Sequence, residues 1–326
     1  MTLDSRARRF LGLIQAASSG RQENEVATFR RATQALAEFA APAPEVDRVD
    51  LQLNVPVRAY APRGAGRAVL PGLIYFHGGG LISGGLDSHD GLCAELAHAA
   101  QCRLIAVDYR LGPEHRFPAA HDDALEAVEL IAWRAADFAI HPDRLGVGGD
   151  SAGGNLAIHA SHSSGARLAL LFLLCPVIDM LGRESSRFEL GRGYLIEEAT
   201  MERYWALYKS RGLASDDERV APLRGGGFAD YPPTRIHTGQ YDPLKDEGAA
   251  LCRAILAAGG DARLVEHQGQ IHHFYGLTAV IPSARGALAR IGTDLAEGLA
   301  GSRARFTPDR SEAVGDGLRR AATGRS

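Results

Sequence analysis

Gly149-Asp150-Ser151-Ala152-Gly153 places a serine between two glycines. It follows an apolar run, Leu145 to Gly148, and opens a segment with helical spacing. On such a strand–turn–helix elbow the serine hydroxyl is exposed on a sharp turn, and small residues two before and two after keep the backbone from colliding with itself. The N-terminus of the following helix favours negative charge developing beside Ser151. The hydroxyl is a useful nucleophile only if a base takes its proton and an acid holds that base in one tautomer. Taken alone, the pentapeptide fits a helix cap equally well. It does not fit a dinucleotide-binding turn, because the third position after Gly146 and Gly148 is Ser151 itself, and no Gly-Lys-Ser/Thr phosphate loop occurs.

The remaining groups that such chemistry needs are found at three other places. His77-Gly78-Gly79-Gly80 follows an apolar run that ends at Phe76. Successive glycines let amide protons turn toward one point, where they can hold the negative oxygen of a tetrahedral intermediate. Each such donor lowers the barrier by about 3–4 kcal/mol. The expected donors are the amides of Gly78, Gly79 and Ala152. His77 precedes the serine and reads as a structural residue that shapes this loop. Asp242 follows the run at 234–238, at the carboxyl end of a strand on the same sheet edge as Ser151. Asp246 and Glu247 fall instead in the first turn of the next helix, where the dipole favours acids in any case. His272 and His273 follow the last strand, and residue chemistry alone does not choose between them. Serine, acid and histidine thus occur in the required order, each after its own strand.

The elements that must position these residues alternate along the chain. Short apolar strands are expected at 73–76, 104–107, 145–148, 168–174, 234–238 and 262–266. Helices are expected at 88–100, 119–136, 151–162, 245–258 and 283–299. Strands alternating with helices predict an α/β fold, a mostly parallel sheet covered on both faces. The first forty residues read as helical up to Pro42 and Pro44, and a strand pair with one buried face is expected at 46–59. Residues 181–215 interrupt the alternation as an insertion, and the tail at 301–326 is poor in large apolar residues and reads as disordered or loosely docked.

Composition narrows the function classes. The 326 residues are 45% hydrophobic and 23% charged, with a net charge of −3. That balance allows a core of ordinary size and gives no bulk attraction to nucleic acid or an acidic membrane. Cys93, Cys102, Cys175 and Cys252 are scattered, which predicts buried thiols rather than a disulfide framework or a zinc site. No apolar run has the length of a signal peptide or a membrane span, so a cytoplasmic protein is expected.

With these residues placed, the chain resembles the hormone-sensitive-lipase-like group of α/β-hydrolases, the bacterial family IV esterases, from about residue 50 to 300. The resemblance rests on His77 to Gly80, Leu86 to Asp90, Asp108 to Ala120, Gly149 to Gly153, Cys175 to Asp179, Asp242 to Gly248 and Ile271 to Phe274. It implies the α/β-hydrolase fold with a helical cap, built from residues 1–45 and the insertion 181–215 on a catalytic domain spanning 46–300. Phe274 aligns with the phenylalanine of the family's His-Gly-Phe, which makes His272 the base and puts His273 where glycine is usual. Gly85 similarly stands where the family often has Asp, and the Asp108 to Ala120 stretch resembles a scaffold loop. The implied function is a serine carboxylesterase for short-to-medium acyl chains, with a small-molecule ester as its partner and no metal or organic cofactor. A homodimer through the sheet edge is a further family habit. The rivals are an acyltransferase or amide hydrolase using the same triad and, from another class, a non-catalytic small-molecule-binding relative. Such relatives typically lack a triad member, and here all three are present.

Overall fold

The computed structural model describes residues 2–17, 25–213 and 217–301. The N-terminal stretch forms two helices, α1 (Ser5–Ala17) and α2 (Glu25–Leu36). Asp4 caps α1, its Oδ1 accepting from the amides of Arg6 and Ala7 at 2.7 and 3.1 Å. Next come β1 (Val46–Gln52), β2 (Pro56–Pro62), β3 (Leu70–Phe76), α3 (Asp90–Ala99), β4 (Arg103–Val107), α4 (Ala119–Trp133), β5 (Ile140–Asp150), α5 (Ala152–Ser163) and β6 (Leu170–Leu174). The insertion carries α6 (Ser185–Glu189) and α7 (Glu198–Tyr208). The chain then forms β7 (Thr234–Tyr241), α8 (Lys245–Ala257), β8 (Ala262–Ile271) and α9 (Ser283–Leu299).

The eight strands make one sheet in the order β1-β2-β4-β3-β5-β6-β7-β8. β1 and β2 are antiparallel to each other and β2 is antiparallel to β4, while all the other pairs are parallel. The winding reverses at β3, which lies between β4 and β5, so the loops leaving β3 and β5 are neighbours at the carboxyl edge. Phe76 pairs with Gly149, which puts His77 and its glycines directly beside the turn at Ser151.

Burial follows the two-residue period of a strand. Ile74 and Phe76 pack with α4, α5 and α8 on one face, while Leu73 and Tyr75 pack with α1, α3 and α9 on the other. All four cysteines are free and buried, as expected.

Several strands run longer than the apolar pattern predicts, β5 and β8 by the most. β5 begins at Ile140 and includes His141, Pro142 and Asp143, and β8 continues through Gln268, Gly269 and Gln270 to Ile271. Backbone pairing carries both strands through polar residues that give no periodic signal. Residues 18–24, between α1 and α2, lie outside the described residues, as do 214–216 and the expected tail beyond Gly301.

α2 lies over the carboxyl edge of the sheet and meets the insertion. Phe29 packs edge-on against Tyr204 of α7 with centroids 4.6 Å apart. Arg30 donates to the Ile82 and Gly112 carbonyls at 3.1 Å each and pairs with Glu114. Arg203 and Glu25 also pair across these helices, but exposed pairs of this kind contribute little. The aromatic packing and the bonds to buried carbonyls are what hold α2 down.

Candidate active site

Ser151 sits between β5 and α5 with φ 51° and ψ −121°, a left-handed backbone that a non-glycine residue adopts only at a cost of about 1–3 kcal/mol. The turn is tight enough to exclude side chains on either side of the serine. A Cβ at Gly153 would run into the carbonyl oxygens of Phe76 and His77, and one at Gly149 would meet Gly153. The turn therefore presents Ser151 at the end of the α5 dipole and at the base of a cavity.

His272 Nε2 lies 3.2 Å from Ser151 Oγ, and His272 Nδ1 lies 2.9 Å from Asp242 Oδ2. Asp242 is fully buried, and its second oxygen accepts the Leu244 amide at 2.8 Å. Nδ1 therefore carries the proton, and Nε2 is left to accept from the serine. Burial opposes a charge on His272, but the Asp242 carboxylate and its hydrogen bond outweigh it, holding the imidazole pKa above its ordinary value. Cys175, on the loop after β6, lies beside Asp242 and His272. Burial, with the Asp242 charge, pushes its thiol pKa far up, so it remains a neutral thiol.

The competing candidates point elsewhere. His273 Nδ1 is 3.9 Å from Asp150 Oδ2, on the other side of the loop from His272. Asp246 accepts the Ser186 amide and pairs with Lys245. Glu247 is buried against Arg187 at 3.0 Å and accepts the amides of Ile178 and Asp179. Burial raises the Glu247 pKa to about 7 against the pull of Arg187. His77 holds its own loop: Nδ1 donates to Gly78 O at 2.8 Å, and the ring stacks on Tyr109 at 4.3 Å. Burial lowers its pKa to about 3.

One expectation is corrected. The Gly78 amide donates to Asp150 Oδ1 at 3.0 Å and is therefore not free for an oxyanion. Among the described residues, the amides of Gly79, Gly80 and Ala152 have no protein acceptor. Gly80, the last glycine of the run, keeps an unengaged amide where that of Gly78 is taken up. The sequence reading also passes over Asp150, the variable position of the serine motif. Asp150 accepts from Tyr75 at 2.9 Å and Tyr275 at 3.2 Å, besides Gly78. Burial works against its charge, but His89, His273 and these hydrogen bonds outweigh burial and keep its pKa below the usual carboxylate range.

The cavity above Ser151 measures about 460 Å³. Phe29, Leu36, Phe39, Leu195 and Tyr204 make its apolar walls, while Gly79, Ser151 and His272 line its base. A narrow second space of about 30 Å³ also reaches Ser151, between Val177, Met180, Met201 and Trp205. A wider, open cleft elsewhere is lined by Arg48, Asp50, Arg58, Asp87 and Asp90, whose charges pair with one another.

A serine on a strand–helix elbow, with His and Asp beside it on the carboxyl edge of a largely parallel sheet, fits a hydrolase scaffold. A family profile described as alpha/beta hydrolase fold matches residues 73–276. The chain is 36% identical over 244 residues to ethyl acetate hydrolase of Pseudomonas putida, covering 73% of this chain and 77% of that protein. It is 34% identical over 245 residues to carboxylesterase NlhH of Mycobacterium tuberculosis, covering 73% and 76%. An ester hydrolase from the metagenome of Lake Arreo, solved with a derivative of bipyridine phosphonate, superposes with a TM-score of 0.85 at 32% identity. That match covers 92% of this chain and 100% of the other. A hyperthermophilic esterase from the archaeon Pyrobaculum calidifontis superposes at 0.82 with 29% identity, covering 91% and 99%. The chain belongs to the α/β-hydrolase family, in its hormone-sensitive-lipase-like group. Among the described residues, no helix is long and apolar enough to cross a membrane.

Proposed function

We propose that this protein hydrolyses carboxylic esters of short-to-medium acyl chain through an acyl-enzyme on Ser151. The observation that carries the reading is the unbroken chain from Ser151 Oγ through His272 to Asp242, at 3.2 and 2.9 Å. His272 Nε2 takes the serine proton as Oγ attacks the ester carbonyl, and Asp242 stabilises the imidazolium. The carbonyl oxygen, now negative, is held by the amides of Ala152, Gly79 and Gly80. His272 then returns the proton to the leaving alkoxide, releasing the alcohol. Water, deprotonated by the same nitrogen, attacks the acyl-enzyme and frees the acid and Ser151.

The two spaces that meet at Ser151 support the choice of substrate. The larger suits a small organic ester, since pockets for such ligands run to about 300–1,000 Å³. The narrow one has room for a short chain only. We assign α1, α2, α6 and α7 to a cap over the catalytic domain, because Phe29 and Tyr204 join its two parts across the cavity. The curated relatives named for ester hydrolysis support the same reaction class.

The test is a series of p-nitrophenyl esters of graded acyl length. Turnover is expected to peak at short chains, to vanish in Ser151→Ala, and to be blocked by a fluorophosphonate that labels Ser151. Retained turnover in Ser151→Ala would sink the assignment. A rate that kept rising toward long acyl chains would sink the substrate class.

A further inference from the structure

We propose that His89, Asp150 and His273 form a binding site for one divalent transition-metal ion, and that zinc held there reversibly inhibits the enzyme. The inhibitory half rests on the ester-hydrolase reading, whereas the site itself does not.

The convergence of three ligand atoms supplies the main argument. Ser88 Oγ, which lies 3.0 Å from the Gly85 carbonyl and 2.9 Å from His89 Nδ1, fixes the His89 ring. The other nitrogen, Nε2, points at Asp150 Oδ2 from 3.4 Å. Both side chains are buried, at 4% and 1% exposure. Nε2 and Oδ2 thus face each other out of solvent, a nitrogen and a carboxylate oxygen that one cation could bridge.

His273 completes a set of three. Its Nδ1 stands 3.9 Å from the same Oδ2, too far for a hydrogen bond. Neither of its ring nitrogens has a hydrogen-bond partner among the described residues. The three ligand atoms lie within 4.8 Å of one another. Around a tetrahedral zinc with bonds near 2.0–2.1 Å, ligand atoms sit about 3.3 Å apart, so modest side-chain rotation closes the set.

The residues behind these ligands are already in place. Ser88 holds His89, Tyr75 and the Gly78 amide hold Asp150 by Oδ1, and Tyr275 donates to Oδ2 at 3.2 Å, so an ion would share that oxygen with the Tyr275 hydroxyl. Bonds of this kind orient metal ligands in known sites. Two imidazoles and one carboxylate favour zinc, cobalt or copper over magnesium or calcium. His89, Asp150 and His273 all line the cavity that contains Ser151 and His272, so the fourth coordination position opens toward the substrate. An ion there occupies part of the substrate space. It also opposes the positive charge that His272 takes up during attack.

The direct test titrates Co²⁺ into full-length Ser151→Ala protein, which keeps the cluster without turnover. Visible ligand-field bands saturating at one ion per chain and displaced by Zn²⁺ are expected. Adding His273→Gly should weaken binding roughly a hundredfold or more. Glycine suits the backbone there, where φ is 58°, and His89→Asn is the second variant. An absence of bands, or equal Co²⁺ affinity with and without His273, would overturn the site. In the wild-type enzyme, Zn²⁺ should inhibit and EDTA should restore turnover, while His273→Gly should escape inhibition. Equal inhibition of both proteins would overturn the inhibitory role. The cobalt titration needs no turnover, so failure of the metal site and failure of the ester-hydrolase reading give different results.

Discussion

His272 and His273 are neighbours in the chain, and exchanging each in turn is the sharpest available test of the active-site geometry. His272→Ala removes both links in the relay, at 3.2 Å to Ser151 and 2.9 Å to Asp242. Ser151 then keeps its proton, and the buried Asp242 loses the group it orients. A positioned general base contributes about 10²–10⁴ in rate, and loss of a triad member that acts as part of a unit costs up to about 10⁶. The expected fall in kcat is therefore about 10⁴–10⁶, or about 5–8 kcal/mol at 1.36 kcal/mol per decade. His273→Ala removes a side chain that makes no hydrogen bond to Ser151, and the expected change is about tenfold or less. The assay is kcat and kcat/KM on p-nitrophenyl butyrate for both purified variants with EDTA present. Circular dichroism checks that each is folded. Similar losses in the two variants, or a larger loss in His273→Ala, would refute the reasoning.

Other expectations follow from neighbouring groups. His272 must be neutral to accept the serine proton, and Asp242 raises its pKa. kcat/KM should therefore rise with pH through a midpoint above 6.5, and Asp242→Asn should lower both the rate, by about 10⁴, and the midpoint; an unmoved midpoint would contradict the pairing. The Glu247 pKa is raised from 4.5 to about 7 by burial, so the folded state binds that proton more tightly than the unfolded state. Its contribution is complete below pH 4.5 and is lost as pH rises through about 7. Thermal melts across that window should show the decline in wild type and not in Glu247→Gln, and identical slopes would refute this. Gly153→Val forces a side chain onto the Phe76 and His77 carbonyl oxygens, backbone atoms that cannot swing aside. It should cost about 3 kcal/mol or more, a Tm loss of roughly 6 °C or more, and a melt matching wild type would show the turn to be looser than described.

Much of this protein is decided by residue type and order alone. The glycines around Ser151, an acid and a histidine after later strands, and the alternation of apolar runs with helices together specify the elbow, the triad order and a sheet covered on both faces. These are local signals, because tight turns demand glycine and strands buried on both faces demand continuous apolar runs. Other features exist only once distant segments meet. Residue chemistry alone does not separate His272 from His273, and what the resemblance at Phe274 implies is realised by the left-handed backbone at His273, which turns the two rings toward different acids. Asp150 is a variable position in its motif until Tyr75, Tyr275, His89 and the Gly78 amide converge on it. That convergence engages Gly78 and leaves Gly80 beside Gly79 and Ala152 as the free donors. The physical reason is the same in each case. Hydrogen bonds between residues as many as 125 positions apart are set by strand order and register, which leave no periodic trace in the sequence around either partner.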